Sequence, residues 1–367
     1  MASLRIAFIV PTLDQSGAEK QLTLLATGLP RPEFEPHVLA LTRGGPYAER
    51  LAAAHVPVTV LHKRGKCDPF AWQRLRTELS RLRPDVVHTW LFAANAYGRL
   101  ALPRRPRPKV VVSERCVDSW KAGWQLWLDR KLIGRTDKLV GNSQSVVEFY
   151  ADLGVPRDKL VCIPNGVDTG PQRDRADVLA ELNLPGEAFL VGYVGRLAEQ
   201  KRVRDLVWAV ETLRQIRPQV HLVLIGDGPE KERLERLAHD VHTERHVHFL
   251  GHRSDAAAWM SAFDAFWLAS SFEGQSNSLM EAMAAGVPVV ATDIAPNREL
   301  VTHEQTGFLV NVGDTVGFMQ FTRRLIDEPD LARRLGDAAR DRMQADFSVA
   351  QMTAAYAALY RDVCGRG

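Results

Sequence analysis

Residues 264–292 read DAFWLASSFEGQSNSLMEAMAAGVPVVAT, and the pattern of this stretch decides the fold. The run 264–270 is short, aromatic and aliphatic, as a buried strand is. A polar loop follows, and Asn277 is placed to cap a helix that Gly286 stops. A second apolar, valine-rich run then fills 287–292. Two strands joined through a helix run parallel, because a hairpin turn is too short to hold that helix. Such units build α/β layers.

Outward from this unit the alternation continues along the chain. Strand-like runs occupy 4–10, 35–41, 56–61, 85–90, 109–113, 137–142 and 159–164, then 189–195, 220–226, 247–251 and 307–310. Segments of helical period separate nearly all of them. A chain of 367 residues exceeds one average domain. The break falls after Pro164-Asn165-Gly166, where a charged, turn-rich stretch begins. This predicts an N-terminal domain over 1–168, a linker over 169–185 and a C-terminal domain over 186–346. Both are expected to be Rossmann-like with parallel sheets. Residues 347–367 form a helix with no strand of their own, which must cross back onto the N-terminal domain. Open α/β sheets bind ligands beyond the carboxyl ends of their strands, so the chemistry is expected in the loops there, across a cleft between the domains.

Composition narrows the class. With 46% hydrophobic and 25% charged residues the chain forms an ordinary core, which excludes global disorder, collagen-like repeats and coiled coil. No window reaches the roughly 18 apolar residues of a membrane span. The apolar stretch at the N-terminus is too short for a signal peptide and reads as a first strand. Cys67, Cys116, Cys162 and Cys364 lack metal or disulfide spacing, which fits a cytoplasmic protein. Residues 1–168 carry 25 Lys and Arg against 16 Asp and Glu, whereas 169–367 carry 22 against 28. The basic half is suited to an anionic surface or acceptor. No nucleic-acid partner is expected.

Three loops carry candidate chemistry. Glu273 precedes and Glu281 lies within the 277–285 helix, and the amides of Ser278 and Leu279 at its start make a phosphate site. Two carboxylates around a phosphate site suit the hydroxyls of a nucleotide sugar. The same spacing also fits a solvated loop acid and a helix acid favoured by the dipole. Arg196, directly after a strand, and Lys201, five residues on, suit the charge of a departing nucleoside diphosphate, or are plain surface cations. After the first strand, Ser16 and Glu19 have capping-box spacing, and Gly17 lets a ligand approach the helix closely. Neither this turn nor Gly226-Asp227-Gly228-Pro229 carries the glycine fingerprint of a dinucleotide enzyme, which weighs against a nicotinamide oxidoreductase.

Together with Pro164-Asn165-Gly166-Val167-Asp168 and the closing segment 347–360, these stretches resemble the retaining family 4 (group 1, glycogen-synthase-like) glycosyltransferases of the GT-B fold. The resemblance covers nearly the whole chain and is densest from Gly195 to Gly307. It implies transfer of a sugar from a UDP- or GDP-linked donor to a glycan or lipid-linked acceptor in cell-surface polysaccharide or glycoconjugate synthesis. It implies that Arg196 and Lys201 hold the diphosphate, Glu273 contacts the donor sugar, and Glu281 the ribose. Gly274, Gln275, Ser276, Asn277, Ser278 and Leu279 would line the donor pocket, Phe249 and Leu250 the base, and Gly17 would close the pocket from the other domain. It further implies front-face substitution with retention and no metal or other cofactor, in keeping with the absence of an Asp-x-Asp triplet. One departure stands out: where the family often has Ser/Thr-x-His, this chain has Ser113-Glu114-Arg115. Arg115 occupies that place, and His88 on an earlier strand end is a second candidate for the sugar side, or else a satisfied strand-end histidine. A non-catalytic sugar-nucleotide-binding subunit, an epimerase and a phosphorylase remain as alternatives on this architecture.

On the acceptor side, residues 99–138 hold eleven Lys and Arg against four Asp and Glu, with Trp120, Trp124 and Trp127 at helical spacing. This fits a basic helix at the anionic inner leaflet of a membrane, with the protein peripheral there. Inward packing of the tryptophans fits the same spacing, and helical aromatic stripes usually do face inward.

Overall fold

The runs read as strands all form strands, and every pairing between them is parallel. The structure, a computed structural model, describes residues 3–102, 107–117 and 121–366. It divides into two units, residues 1–166 with 349–367, and residues 167–348.

Unit 1 contains β1 (Leu4–Thr12), β2 (Phe34–Arg43), β3 (Val58–Val60), β4 (Val86–Trp90), β5 (Lys109–Glu114), β6 (Lys138–Gly141) and β7 (Leu160–Cys162). They assemble in the order β3-β2-β1-β4-β5-β6-β7. Both faces are covered, which is why residues 6–10 of β1 read as an unbroken apolar run. Ile6, Phe8 and Val10 enter one core cluster, Ala7 and Ile9 the other. The closing helix Val349–Val363 supplies Met352, Tyr356, Leu359, Tyr360 and Val363 to the first cluster. Arg361 of that helix grips Glu33 with two hydrogen bonds of 2.7 Å. Gln21 brackets Gly166, donating to its carbonyl at 2.8 Å and accepting from its amide at 3.0 Å. The final helix thus completes the hydrophobic core of unit 1.

Unit 2 contains β8 (Phe189–Val194), β9 (Val220–Ile225), β10 (Val247–Gly251), β11 (Ala265–Leu268), β12 (Val289–Thr292) and β13 (Phe308–Val310), in the order β10-β9-β8-β11-β12-β13. The stretch 169–185 is not a free linker. It carries the helix Arg175–Glu181, capped by Asp174, and Arg175 donates to the carbonyls of Ala262 at 2.8 Å and Ala188 at 2.6 Å. Those bonds fasten the stretch to unit 2.

Each sheet reverses its winding once, between β1 and β4 in unit 1 and between β8 and β11 in unit 2. A crevice forms at such a switch point because the two following loops turn away from each other. In unit 2 those loops are 195–202, after β8, and 269–276, after β11. They hold the two strongest motifs of the sequence.

Candidate functional site

The two switch-point loops of unit 2 are stitched together. Gln200 donates its side-chain amide to the Phe272 carbonyl at 2.8 Å, and its own carbonyl accepts from the Ser271 amide at 2.9 Å and hydroxyl at 3.0 Å. This brace brings the Lys201 ammonium onto the Glu273 carboxylate as an ion pair. The pair is sheltered, with the lysine side chain 19% and the glutamate side chain 9% exposed. Tyr193, at the end of β8, donates its hydroxyl to the Arg196 carbonyl at 3.0 Å and fixes the turn in which Arg196 lies. Burial, followed by the Glu273 charge, pushes the Tyr193 phenol well above its ordinary range, so it stays a donor. The Arg196 side chain is exposed and has no ion-pair partner among the described residues.

Beyond Glu273 the chain runs through Gly274, Gln275 and Ser276, all buried, into the helix Asn277–Ala284. Ser276, rather than Asn277, is its cap, and its hydroxyl accepts from the Leu279 amide at 3.4 Å. Asn277 and Ser278 are the first helical residues and partly exposed, whereas Leu279 turns into the core. Glu281 follows one turn later, also partly exposed. The helix ends as expected at Gly286, whose φ of +76° a side chain rarely adopts. The helix N-terminus therefore stands beside a lysine and a carboxylate, an arrangement that can hold an anion and hydroxyls together.

A third turn closes the same edge of the sheet. Gly226, with φ of +143°, lies so near the preceding strand's turn that an added Cβ would meet the Gly195 carbonyl oxygen at 1.9 Å. The Leu197 amide donates to the Asp227 carbonyl at 2.9 Å, and the Gly226 amide to the Gly251 carbonyl at 2.8 Å. Phe249 and Leu250, partly buried on β10, thus belong to a carboxyl edge continuous with the Arg196 turn. Tyr193, Gln200 and Ser271 are contributions that motif reading misses; Gln200 adjoins Lys201, but its target is 72 residues away.

Unit 1 treats its candidates differently. The sequence offers His88 for the sugar side, but β4 turns it inward and it is fully buried. Its Nδ1 meets the Tyr360 hydroxyl at 2.7 Å and its Nε2 the Ser113 hydroxyl at 2.8 Å. With both nitrogens engaged and the closing helix above it, His88 is a core residue and has no free nitrogen for a sugar. Burial, then the nearby Arg115 charge, holds its pKa well below the ordinary value, so the ring is neutral. Arg115 lies over the Trp90 ring, 4.7 Å from its centroid, and hydrogen-bonds the Asn165 side chain. Burial lowers its pKa as well. Gly17 opens the helix Gly17–Gly28 at the unit 1 switch point. The Ser16–Glu19 relation is a side-chain pair, the hydroxyl donating to the carboxylate, instead of the capping box that the spacing predicts. Trp120 lies outside the described residues, while Trp124 and Trp127 are exposed, against the inward packing usual for such a stripe.

Among the described residues no cluster of three His, Cys, Asp or Glu side chains is arranged as metal ligands. No helix among them is long and apolar enough to cross a membrane.

Known proteins match this geometry over both units. The family described as "Glycosyl transferases group 1" matches residues 174–342, and the one described as "Glycosyltransferase Family 4" matches 15–170. The lipopolysaccharide core biosynthesis glycosyltransferase LpsE of Rhizobium meliloti is 33% identical over 221 residues, covering 60% of this chain and 63% of that protein. A glycogen synthase of Mycobacterium tuberculosis is 30% identical over 296 residues, covering 76% of this chain and 69% of its own. Across the first three curated relatives the match spans 52% to 63% of their length. The crystal structure of Anabaena HepE in complex with UDP-glucose superposes with a TM-score of 0.88 at 23% identity, covering 98% of this chain and all of that one. At that identity the likeness establishes the fold.

Proposed function

Because the chain belongs to the group 1, family 4 glycosyltransferases, with their GT-B fold, we propose that it transfers a sugar from a nucleotide-diphosphate donor bound at the β8/β11 edge of unit 2. The observation that carries this reading is the Lys201–Glu273 pair set beside the N-terminus of the Asn277–Ala284 helix. A sugar diphosphate presents an anion to the lysine and the helix amides, and hydroxyls to the carboxylate. In this reading Arg196 and Lys201 hold the diphosphate and Glu273 the sugar. Glu281 takes the ribose, residues 274–279 line the pocket, and Phe249 and Leu250 flank the base. HepE with bound UDP-glucose supports a UDP-linked donor, with GDP the other candidate.

The acceptor hydroxyl attacks the anomeric carbon from the face on which the nucleotide leaves. As that C–O bond breaks, the diphosphate departs with the electron pair and takes the acceptor's proton on a phosphate oxygen, so configuration is retained. In this reading cation duty falls on Arg196 and Lys201, which offset the charge that grows on the leaving group. No metal is assigned a step. The acceptor is a glycan or lipid-linked intermediate handled by basic unit 1, in polysaccharide or lipopolysaccharide assembly as the name of LpsE suggests. The protein works peripherally at an anionic leaflet.

A thermal-shift screen against UDP-, GDP- and ADP-sugars tests the donor site. One nucleotide class should stabilise the protein by about 2.7 kcal/mol at a hundredfold excess over Kd. No stabilisation by any of them, or an undiminished shift in Lys201→Ala, refutes the reading.

A further inference from the structure

The helix Gly123–Leu132 of unit 1 has its polarity reversed. Its inward side is ionic: Asp129 pairs with Arg99 and, at 3.2 Å, with Lys121. Lys121 also meets Glu114 at 3.3 Å and donates to the Tyr150 hydroxyl at 2.8 Å, all of these groups being buried. Its outward side is aromatic, with Trp124 63% and Trp127 59% exposed on successive turns. Phe92 of the neighbouring helix Leu91–Ala101 stands edge-on to Trp124 at 5.5 Å, and Leu100 of that helix is exposed too. A folded chain normally turns such a helix the other way. Here the buried ion network occupies the inward space and pins the rotation, so the indoles stay in solvent.

The charge on this face has one sign. From 122 to 135 the single acid is the buried Asp129, whereas Arg130, Lys131 and Arg135 are exposed. The Lys131 ammonium lies 5.8 Å from the centre of the Trp127 ring. No ion pair to a carboxylate engages Arg130 or Lys131 among the described residues. Indole rings prefer the headgroup level of a bilayer, and lysine and arginine beside them prefer anionic phosphates. The geometry points to this helix face as the element that docks unit 1 on an anionic lipid surface. The inference deepens the peripheral reading above and rests on it. The helices Pro69–Leu82, Leu91–Ala101 and Gly123–Leu132 follow β3, β4 and β5. Their starts, bearing exposed Phe70 and Trp124 and half-buried Phe92, therefore lie at the carboxyl edge of the sheet, where a lipid-linked acceptor would arrive.

Flotation of the full chain with phosphatidylcholine vesicles, with and without phosphatidylglycerol, tests it. The wild type should float with the anionic vesicles only, and high salt should release it. Arg130→Ser/Lys131→Ser should weaken binding about 30-fold, two cations' worth, and Trp124→Ser/Trp127→Ser at least about tenfold. Failure to float with anionic vesicles overturns the inference, as does either double variant binding like the wild type. So does a self-association seen by light scattering that the tryptophan variant abolishes, which would make the occupant a second copy. The thermal shift with a nucleotide sugar, run on the same variants, reads unit 2 separately and should not change. Its loss in the wild type would sink the donor-site reading without touching the lipid result.

Discussion

Replacing Lys201 with methionine separates what the lysine does for the fold from what it does for the reaction. The substitution keeps the stem's volume and removes the charge facing Glu273, a carboxylate only 9% exposed and near the buried Tyr193. Breaking a fully buried pair by deleting one partner costs about 3–5 kcal/mol. Solvent reaches the lysine end of this one, so about 2 kcal/mol is expected, a fall in Tm of roughly 4–8 °C for a unit of this size. Transfer should fall further, about 100- to 1000-fold, because a cation on the departing diphosphate acts most strongly in the transition state. The informative partner is Lys201→Met/Glu273→Gln, in which no charge is stranded. Differential scanning fluorimetry should show most of the lost stability restored, while single-turnover transfer stays low. A double variant that regains transfer along with stability would make the pair a structural staple. A single variant with unchanged Tm would mean the two groups do not pair at all.

Three further outcomes follow from the same physics. Gly226→Ala should destabilise unit 2 by more than about 3 kcal/mol in denaturant unfolding, since the added methyl meets the Gly195 carbonyl and φ is positive. Lys121→Met should cost about 3 kcal/mol because it takes the lysine cation from the buried Glu114, while Asp129 keeps Arg99; Arg361→Ala, in a surface pair, should cost far less. His221, stacked on His246 and 3.1 Å from His248, has its pKa lowered to about 4, chiefly by burial and then by those neighbours. From pH 6.5 down towards 4 the unfolded chain therefore takes up a proton that the folded one refuses, and stability is lost as pH falls. Guanidinium titrations at neutral and mildly acid pH should show a drop of about 2 kcal/mol from this site that His221→Asn removes.

The strands were legible because burial on both faces writes continuous apolar runs into them, and parallel connections leave room for a helix between each pair. Loop motifs at Arg196–Lys201 and Glu273–Glu281 were legible for a related reason: polar residues that directly follow a buried strand land at the carboxyl edge. The contact between the two loops was not, since Lys201 and Glu273 are 72 residues apart and meet only because β8 and β11 are neighbours at the switch point. His88 shows the opposite limit. Its place at a strand end was visible, but the period of β4 allows either face. The partners that settle it, Tyr360 on the closing helix and Ser113 on β5, lie 272 and 25 residues away. For Trp124 and Trp127, spacing alone favours the interior. It is Arg99, from the preceding helix, that claims the interior through Asp129 and leaves the indoles outside.

Diffraction from crystals grown with a nucleotide sugar tests the central claim most directly. Donor phosphate oxygens within hydrogen-bond reach of the Lys201 Nζ and the amides at the start of the Asn277–Ala284 helix, with sugar hydroxyls on Glu273, are what this account predicts. A nucleotide seated at another strand edge, with Lys201 and Glu273 still paired only to each other, would contradict it.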